Sequence, residues 1–170
     1  MRYGILILIV LFILTTSSCS TNISGYTNEI EDLNVNSNLD FNFAEDEKDI
    51  KEVDEFKKVG GFGCYLLTSK DSLTNYIIGG YPDCLDRYKV IGFQTQNPIY
   101  SIYGVSVGIN VADAIELLES KSYKKDPENS NECRLIYKNG KVTISVTIES
   151  SHVSELSVRL EVTNKNNVQF

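Results

Sequence analysis

The segment RLIYKNGKVTISVTIESSHVSELSVRL, residues 134–160, constrains the fold more than any other part of the chain. Val142, Ile144, Val146 and Ile148 alternate with Thr143, Ser145, Thr147 and Glu149. Only an extended strand sorts a period of two into one apolar and one polar face. Asn139-Gly140 separates this run from Leu135 and Tyr137 and predicts a tight hairpin, because a type I′ turn needs positive φ at both central positions. Leu156, Val158 and Leu160 then repeat the alternation while Val153 is out of phase, so a bulge near Ser154-Glu155 is expected. An antiparallel sheet follows, with Val142, Ile144, Val146, Leu156, Val158 and Leu160 on a buried face and Ser145 and Thr147 on a solvent face.

A cover for the buried face stands just upstream. In NVADAIELLESK, Asn110 is a good N-cap and Asp113 follows three residues later, an arrangement like a capping box. Val111, Ala114, Ile115 and Leu118 fall on one helical face, and Asp113, Glu116 and Glu119 on the water-facing one. GCYLLT, NYIIGG and RYKVIGFQT read as three further strands, punctuated by the turn Gly80-Tyr81-Pro82-Asp83, and echo the later meander. NPIYSIYGVSVG reads as another, with Ile99, Tyr103, Val105 and Val107 aligned. The expected fold is α+β: an antiparallel sheet of about six or seven strands, with one main helix at 110–122 covering one face.

Strand, YGVSVGINVADAIELLES, then a meander ending HVSELSVRL resembles a segment common in uncharacterised Gram-positive lipoproteins. In layout it is also similar to small envelope-lipoprotein and β-lactamase-inhibitor-like domains of the SmpA/OmlA type. Gly108 and Asn110 match their glycine and turn residue before an amphipathic helix, whereas Leu118-Glu119-Ser120-Lys121 replaces their usual Leu-Gly-x-Pro. The resemblance spans residues 99–162, implies binding or assembly rather than catalysis, and supplies no active site.

The first 55 residues differ in character. They hold eleven of the 23 acidic residues but three of the 16 basic ones, leaving 56–170 with 12 acids against 13 bases. Neither part has the basic balance that nucleic-acid binding normally needs, so no nucleic-acid partner is expected. Residues 20–55 read as an acidic, Asn-rich tether. Within it Leu33, Val35, Leu39, Phe41 and Phe43 share one parity, as a strand docking on a sheet or a partner would. Residues 34–45 space oxygen side chains like a calcium loop, but with Leu39 at the glycine position and no first aspartate they do not form one. Residues 44–58 suit a short charged helix using Ile50, Val53 and Phe56, or a solvated linker.

At the N-terminus, Arg2 precedes the eleven-residue stretch from Gly4 to Leu14, too short for a spanning helix of about 20 residues and of signal-peptide form. Its exit, Thr16-Ser17-Ser18-Cys19, resembles the bacterial lipobox, with Thr16 in place of the family's Leu, Val or Ile. That resemblance implies cleavage after residue 18 and diacylation, including palmitate, of Cys19; the alternatives are ordinary secretion with cleavage near Ser18 or Ser20, and an uncleaved N-terminal anchor. Two acyl chains suffice for stable anchoring, at about 0.8 kcal/mol per buried methylene. The expected location is therefore the extracytoplasmic face of the cell membrane. Fifteen Asn and seventeen Ile against three Ala point to an AT-rich genome and a low-GC Gram-positive source.

Chemistry-bearing residues are sparse. Cys64, Cys84 and Cys133 remain beyond Cys19; Cys64–Cys84 is the shortest disulfide closure, and Cys133 shares the parity of Leu135 and Tyr137, as a small buried hydrophobe would. No Cys-x-x-Cys motif supports a metal or redox centre, and neither catalytic residue nor cofactor is expected. His152, the single histidine, falls in a turn and reads as an exposed loop residue rather than the partner of Cys133 in a dyad. Gly61-Phe62-Gly63 lacks the rest of a phosphate loop. Tyr65, Tyr76, Tyr81, Tyr88, Tyr100 and Tyr103 crowd together and either line a sheet face that grips an envelope protein or wall glycan, or serve as ordinary cross-strand packing. A binding module is the leading expectation; a carboxylate-dependent cell-wall hydrolase is the alternative.

Overall fold

The computed structural model describes residues 27–46, 50, 53–58, 64–80 and 88–161. Two helices, α1 (Thr27–Val35) and α2 (Val111–Ser120), accompany eleven strands. These are β1 (Ser37–Asn38), β2 (Val53–Lys58), β3 (Cys64–Ser69), β4 (Thr74–Gly80), β5 (Tyr88–Thr95), β6 (Ser101–Ile102), β7 (Val105–Ser106), β8 (Lys124–Lys125), β9 (Arg134–Asn139), β10 (Val142–Glu149) and β11 (His152–Leu160). Eight form one antiparallel sheet in the order β2-β3-β4-β5-β11-β10-β9-β8, and β1-β6-β7 form a second, small one. The large sheet is thus two four-stranded meanders, each following a helix in the chain, joined where the last strand of one pairs the last of the other. The echo between the two sets of strands in the sequence corresponds to this doubling. The α+β class holds, with eight strands in the main sheet and two helices among the described residues.

Registers fix the two faces. Tyr76 faces Phe93, Phe93 faces Val158, Val158 faces Ile144 and Ile144 faces Tyr137, and all five are buried. Val142, Val146, Leu156 and Leu160 share that face and are buried too. Val153 joins them because the register shifts between Thr147 and Ile148, leaving Ser154 as the extra residue of a bulge. The turn from β9 to β10 differs from expectation. Asn139 pairs Val142, so Gly140-Lys141 is the loop, and positive φ is confined to Gly140, the type II′ pattern. The I′ pattern appears instead at Ser150-Ser151 (φ 50° and 66°) and at Tyr103-Gly104 (φ 54° and 84°).

The second of those turns breaks the long strand expected over 97–108. It folds back at Tyr103-Gly104, pairing Ile102 with Val105, and leaves Ile99 62% exposed. Helix α2 begins as anticipated: the Asn110 side chain accepts the Ala112 N–H, and Ala114 and Leu118 are buried. No single helix roofs the core. Ile30 and Leu33 of α1, Phe41, Phe43, Ile102, Val105 and Tyr123 belong to the same apolar cluster as the sheet and α2.

Two readings of the acidic region are corrected here. Residues 27–46 are not a spacer. Leu33 is fully buried while Val35 is 77% exposed, because α1 places residues two apart on different sides. The Asn34 side chain braces the chain that follows, donating to the Phe43 carbonyl (3.2 Å) and accepting the Phe43 N–H (2.8 Å). Backbone bonds Ala44 N–H to Val90 O and Val90 N–H to Glu45 O then tie this segment to β5. Further on, residues 53–58 form β2 and not a helix, antiparallel to β3. The boundary expected at 55/56 therefore falls inside a strand.

Candidate functional site

The tyrosines do not make an outward binding face. Tyr65, Tyr76 and Tyr103 are buried, Tyr81 lies outside the described residues, and of Tyr88 only the backbone, at the start of β5, is described. The sequence could not choose a side in β3 and β4, where both parities are apolar (Tyr65 and Leu67 against Leu66, Tyr76 and Ile78 against Ile77). Two tyrosine pairs instead bolt the N-terminal segment down. Tyr103 donates to Asp32 of α1 at 3.0 Å, and its ring centroid lies 5.5 Å from that of Tyr123. Tyr100 donates to Asp40 at 3.1 Å and is hydrogen-bonded to Tyr76, while the Phe41 ring sits edge-on against Tyr76 at 5.1 Å. Burial first, then hydrogen bonding to the neighbouring tyrosine, holds the Tyr76 and Tyr103 hydroxyls far above the ordinary range. Burial pushes Tyr123 up to about 12. The Tyr100 and Tyr103 phenols donate to carboxylates of the N-terminal segment, which suits a fastening role.

The remaining candidates separate rather than converge. Cys64 carries a free thiol, raised by burial; Cys84, the other half of the expected closure, lies outside the described residues, as does Cys19. Cys133 is exposed and free, because β9 starts only at Arg134 and Cys133 stands in the preceding turn, its N–H on the Asn131 side chain. His152 is exposed, with Nδ1 at 2.8 Å from the Ser150 carbonyl oxygen. Asp113, Glu116, Leu117 and Ser120 line a shallow depression on α2. Among the described residues no group of three His, Cys, Asp or Glu could hold a metal ion, and no helix is long and apolar enough to cross a membrane.

What the strands do assemble is a surface of short polar side chains on the sheet face opposite the core. Thr68 faces Asn75, Asn75 faces Gln94, Gln94 faces Ser157 and Ser157 faces Ser145. That is one transverse row across five neighbouring strands, about 4.8 Å apart. Thr68 donates to Asn75 at 2.9 Å, and Arg134 donates to Ser145 at 3.0 Å. Thr147 stands opposite Glu155 and donates to it at 3.4 Å. Thr143, Thr147, Ser157, Gln94 and Asn75 are half-buried, as side chains standing side by side on a sheet are, while Ser145 is covered to 6% exposure. Towards β3 and β4 the face turns apolar with Leu66 and Ile77. Alternation marked Ser145 and Thr147 as members of this face; their partners on β3, β4 and β5 emerge only from the register.

Comparisons with protein-family models, with curated proteins and with solved structures give no match for this chain.

Proposed function

We propose that this chain is a membrane-anchored envelope lipoprotein, held by a diacylglyceryl Cys19, whose α+β domain is a binding or assembly module. The observation that carries the binding half is the transverse row Thr68–Asn75–Gln94–Ser157–Ser145. Hydroxyl and amide side chains each offer donors and acceptors, and a rigid sheet holds them in fixed register, as recognition of a polar ligand requires. The lipid half rests on the lipobox-like Thr16-Ser17-Ser18-Cys19, and the layout over 99–162 resembles envelope lipoproteins of the SmpA/OmlA type.

A wall hydrolase is the weaker reading. Its general acid needs a carboxyl raised towards neutrality. Hydrogen bonds from Ser69, Leu73 and Asn97 hold Asp71 below its ordinary value, and those from Lys138 and Asn129 hold Asp126 down at about 2. Asp113 and Glu116 share one exposed helix rather than facing across a cleft.

Two experiments test the two halves. Metabolic labelling with a fatty acid should mark the wild type and not Cys19→Ala; labelling that survives the substitution rules out the anchor. Co-sedimentation with purified cell walls should retain the wild type and lose Thr143→Glu, an acid set between Arg159 and Lys138 on the outer face, while the thermal midpoint stays in place. Equal retention of both proteins would remove the outer face from the reading.

A further inference from the structure

Charge on the outer face runs against the sign of the chain as a whole, whose formal net charge is −7. Arg134 and Arg159 both stand on it, exposed. The row next to the hydroxyl row reads Arg159 opposite Thr143, Thr143 opposite Lys138, and Lys138 opposite Lys124. Four adjacent strands therefore present a mainly cationic line about 14 Å long at the usual strand spacing. Two lysines directly opposite one another on a sheet repel; the Asp126 carboxylate, 2.8 Å from Lys138, offsets part of this. Glu155 is the acid beside Thr147, and Glu161 and Glu128 lie near Lys138, so the two arginines rather than Lys138 carry most of the free positive charge. Among the described residues Arg159 makes no salt bridge, and its guanidinium lies close enough to the Cys64 thiol to counter part of the rise that burial causes there.

We propose, building on the binding reading above, that this face seats an anionic, hydroxyl-rich wall polymer: a polyol or glycan chain linked by phosphodiesters, lying across β8–β11. The guanidinium groups of Arg134 and Arg159 supply the planar donor forks that suit phosphate oxygens. Thr143 and Ser157, between and beside the cations, suit the polymer's hydroxyls. Three other occupants fit less well. Stacking on nucleobases or neutral sugars needs aromatic rings, and Tyr65, Tyr76, Phe93 and Tyr137 all stand on the buried face. Lying on a bilayer needs projecting apolar groups, and among the described residues the exposed large hydrophobics, Val35, Leu73 and Ile99, are elsewhere.

The test is co-sedimentation of the purified full chain with Gram-positive walls, intact or stripped of their phosphodiester polymers by hydrofluoric acid. Intact walls should bind it, with apparent affinity falling as salt rises, and stripped walls should bind at least about tenfold less, the loss of one charged contact or more. Arg134→Gln with Arg159→Gln should weaken binding to intact walls comparably, with thermal unfolding unchanged. Equal binding to stripped and intact walls would overturn the polymer assignment and leave the binding reading standing. Retention by neither would overturn both. Tighter capture by phosphatidylglycerol vesicles than by intact walls, or a double variant that binds like wild type, would also overturn it.

Discussion

Replacing Leu33 by alanine separates a folded N-terminal segment from a tether. Leu33 is fully buried on α1, in one cluster with the sheet. The change removes three carbons from that environment, about 2.4 kcal/mol at 0.8 kcal/mol per buried carbon. The cavity left behind adds to this, and measured Leu→Ala changes span about 2–5 kcal/mol. A loss of about 3 kcal/mol, at roughly 2–4 °C per kcal/mol for a chain of this size, lowers the midpoint by about 10 °C. Val35 is the internal control: it shares Leu33's parity in sequence yet is 77% exposed, so Val35→Ala should stay within about 0.5 kcal/mol. Thermal and urea unfolding of the full chain, followed by far-ultraviolet circular dichroism and by the fluorescence of its ten tyrosines, reads both. Two variants with equal midpoints would refute the argument: neutral together, the segment is not packed; impaired together, it is a docked strand and not a helix.

Gly140 sits at φ 55°, and a Cβ there would run into the Glu29 carboxylate. Gly140→Ala should therefore lower stability by about 1–3 kcal/mol, with part of the loss recovered in a Glu29→Ala background, as chemical denaturation would show. Ser150-Ser151 occupies an I′ turn that favours Asn-Gly, so Ser150→Asn with Ser151→Gly should raise stability by about 0.5–1 kcal/mol; a lower urea midpoint would contradict the turn assignment. Alkaline pH should unfold the protein. Tyr123 and its buried neighbours keep their protons in the fold above the ordinary tyrosine value, near 10. Their contribution is complete below pH 10 and lost above it, at about 1.4 kcal/mol per pH unit for each such tyrosine while only its unfolded form is ionised. Tyrosinate absorbance should accordingly rise together with loss of circular dichroism, and a rise that precedes unfolding would show the phenols to be accessible.

Much of the second half was legible because single residues carried unambiguous periods. Val142 to Ile148 alternate without exception and Asn110 caps a helix whose apolar residues recur at helical spacing, so sheet, helix and bulge all followed. The first half was harder for physical reasons. Helix α1 is nine residues long, too short to be stable alone, and its apolar spacing Ile30–Leu33 competes with a stronger-looking alternation from Leu33 to Phe43. Tyr103-Gly104 and Ser150-Ser151 put Tyr103, Ser150 and Ser151 at the positive φ that an I′ turn usually gives to Asn or Gly, and the first turn is held by a tertiary contact, the Tyr103–Asp32 bond. The outer polar row was half visible: alternation exposed Ser145 and Thr147, but a row across strands is a property of register, which no single strand encodes.

The packing of residues 27–46 against the sheet also sets a length. Under the proposal that a lipid sits on Cys19, seven residues, 20–26, separate the anchor from α1, where a spacer running to residue 55 would have offered thirty-six. Seven residues reach at most about 25 Å when fully extended, less than the roughly 40 Å width of a compact domain this size. The domain is then leashed rather than tethered: it can swivel, but its far side cannot leave the layer next to the bilayer. Any polymer it grips is gripped at the membrane-proximal end, and lengthening residues 20–26 with a flexible insert would change which ligands it meets without altering one contact in the fold.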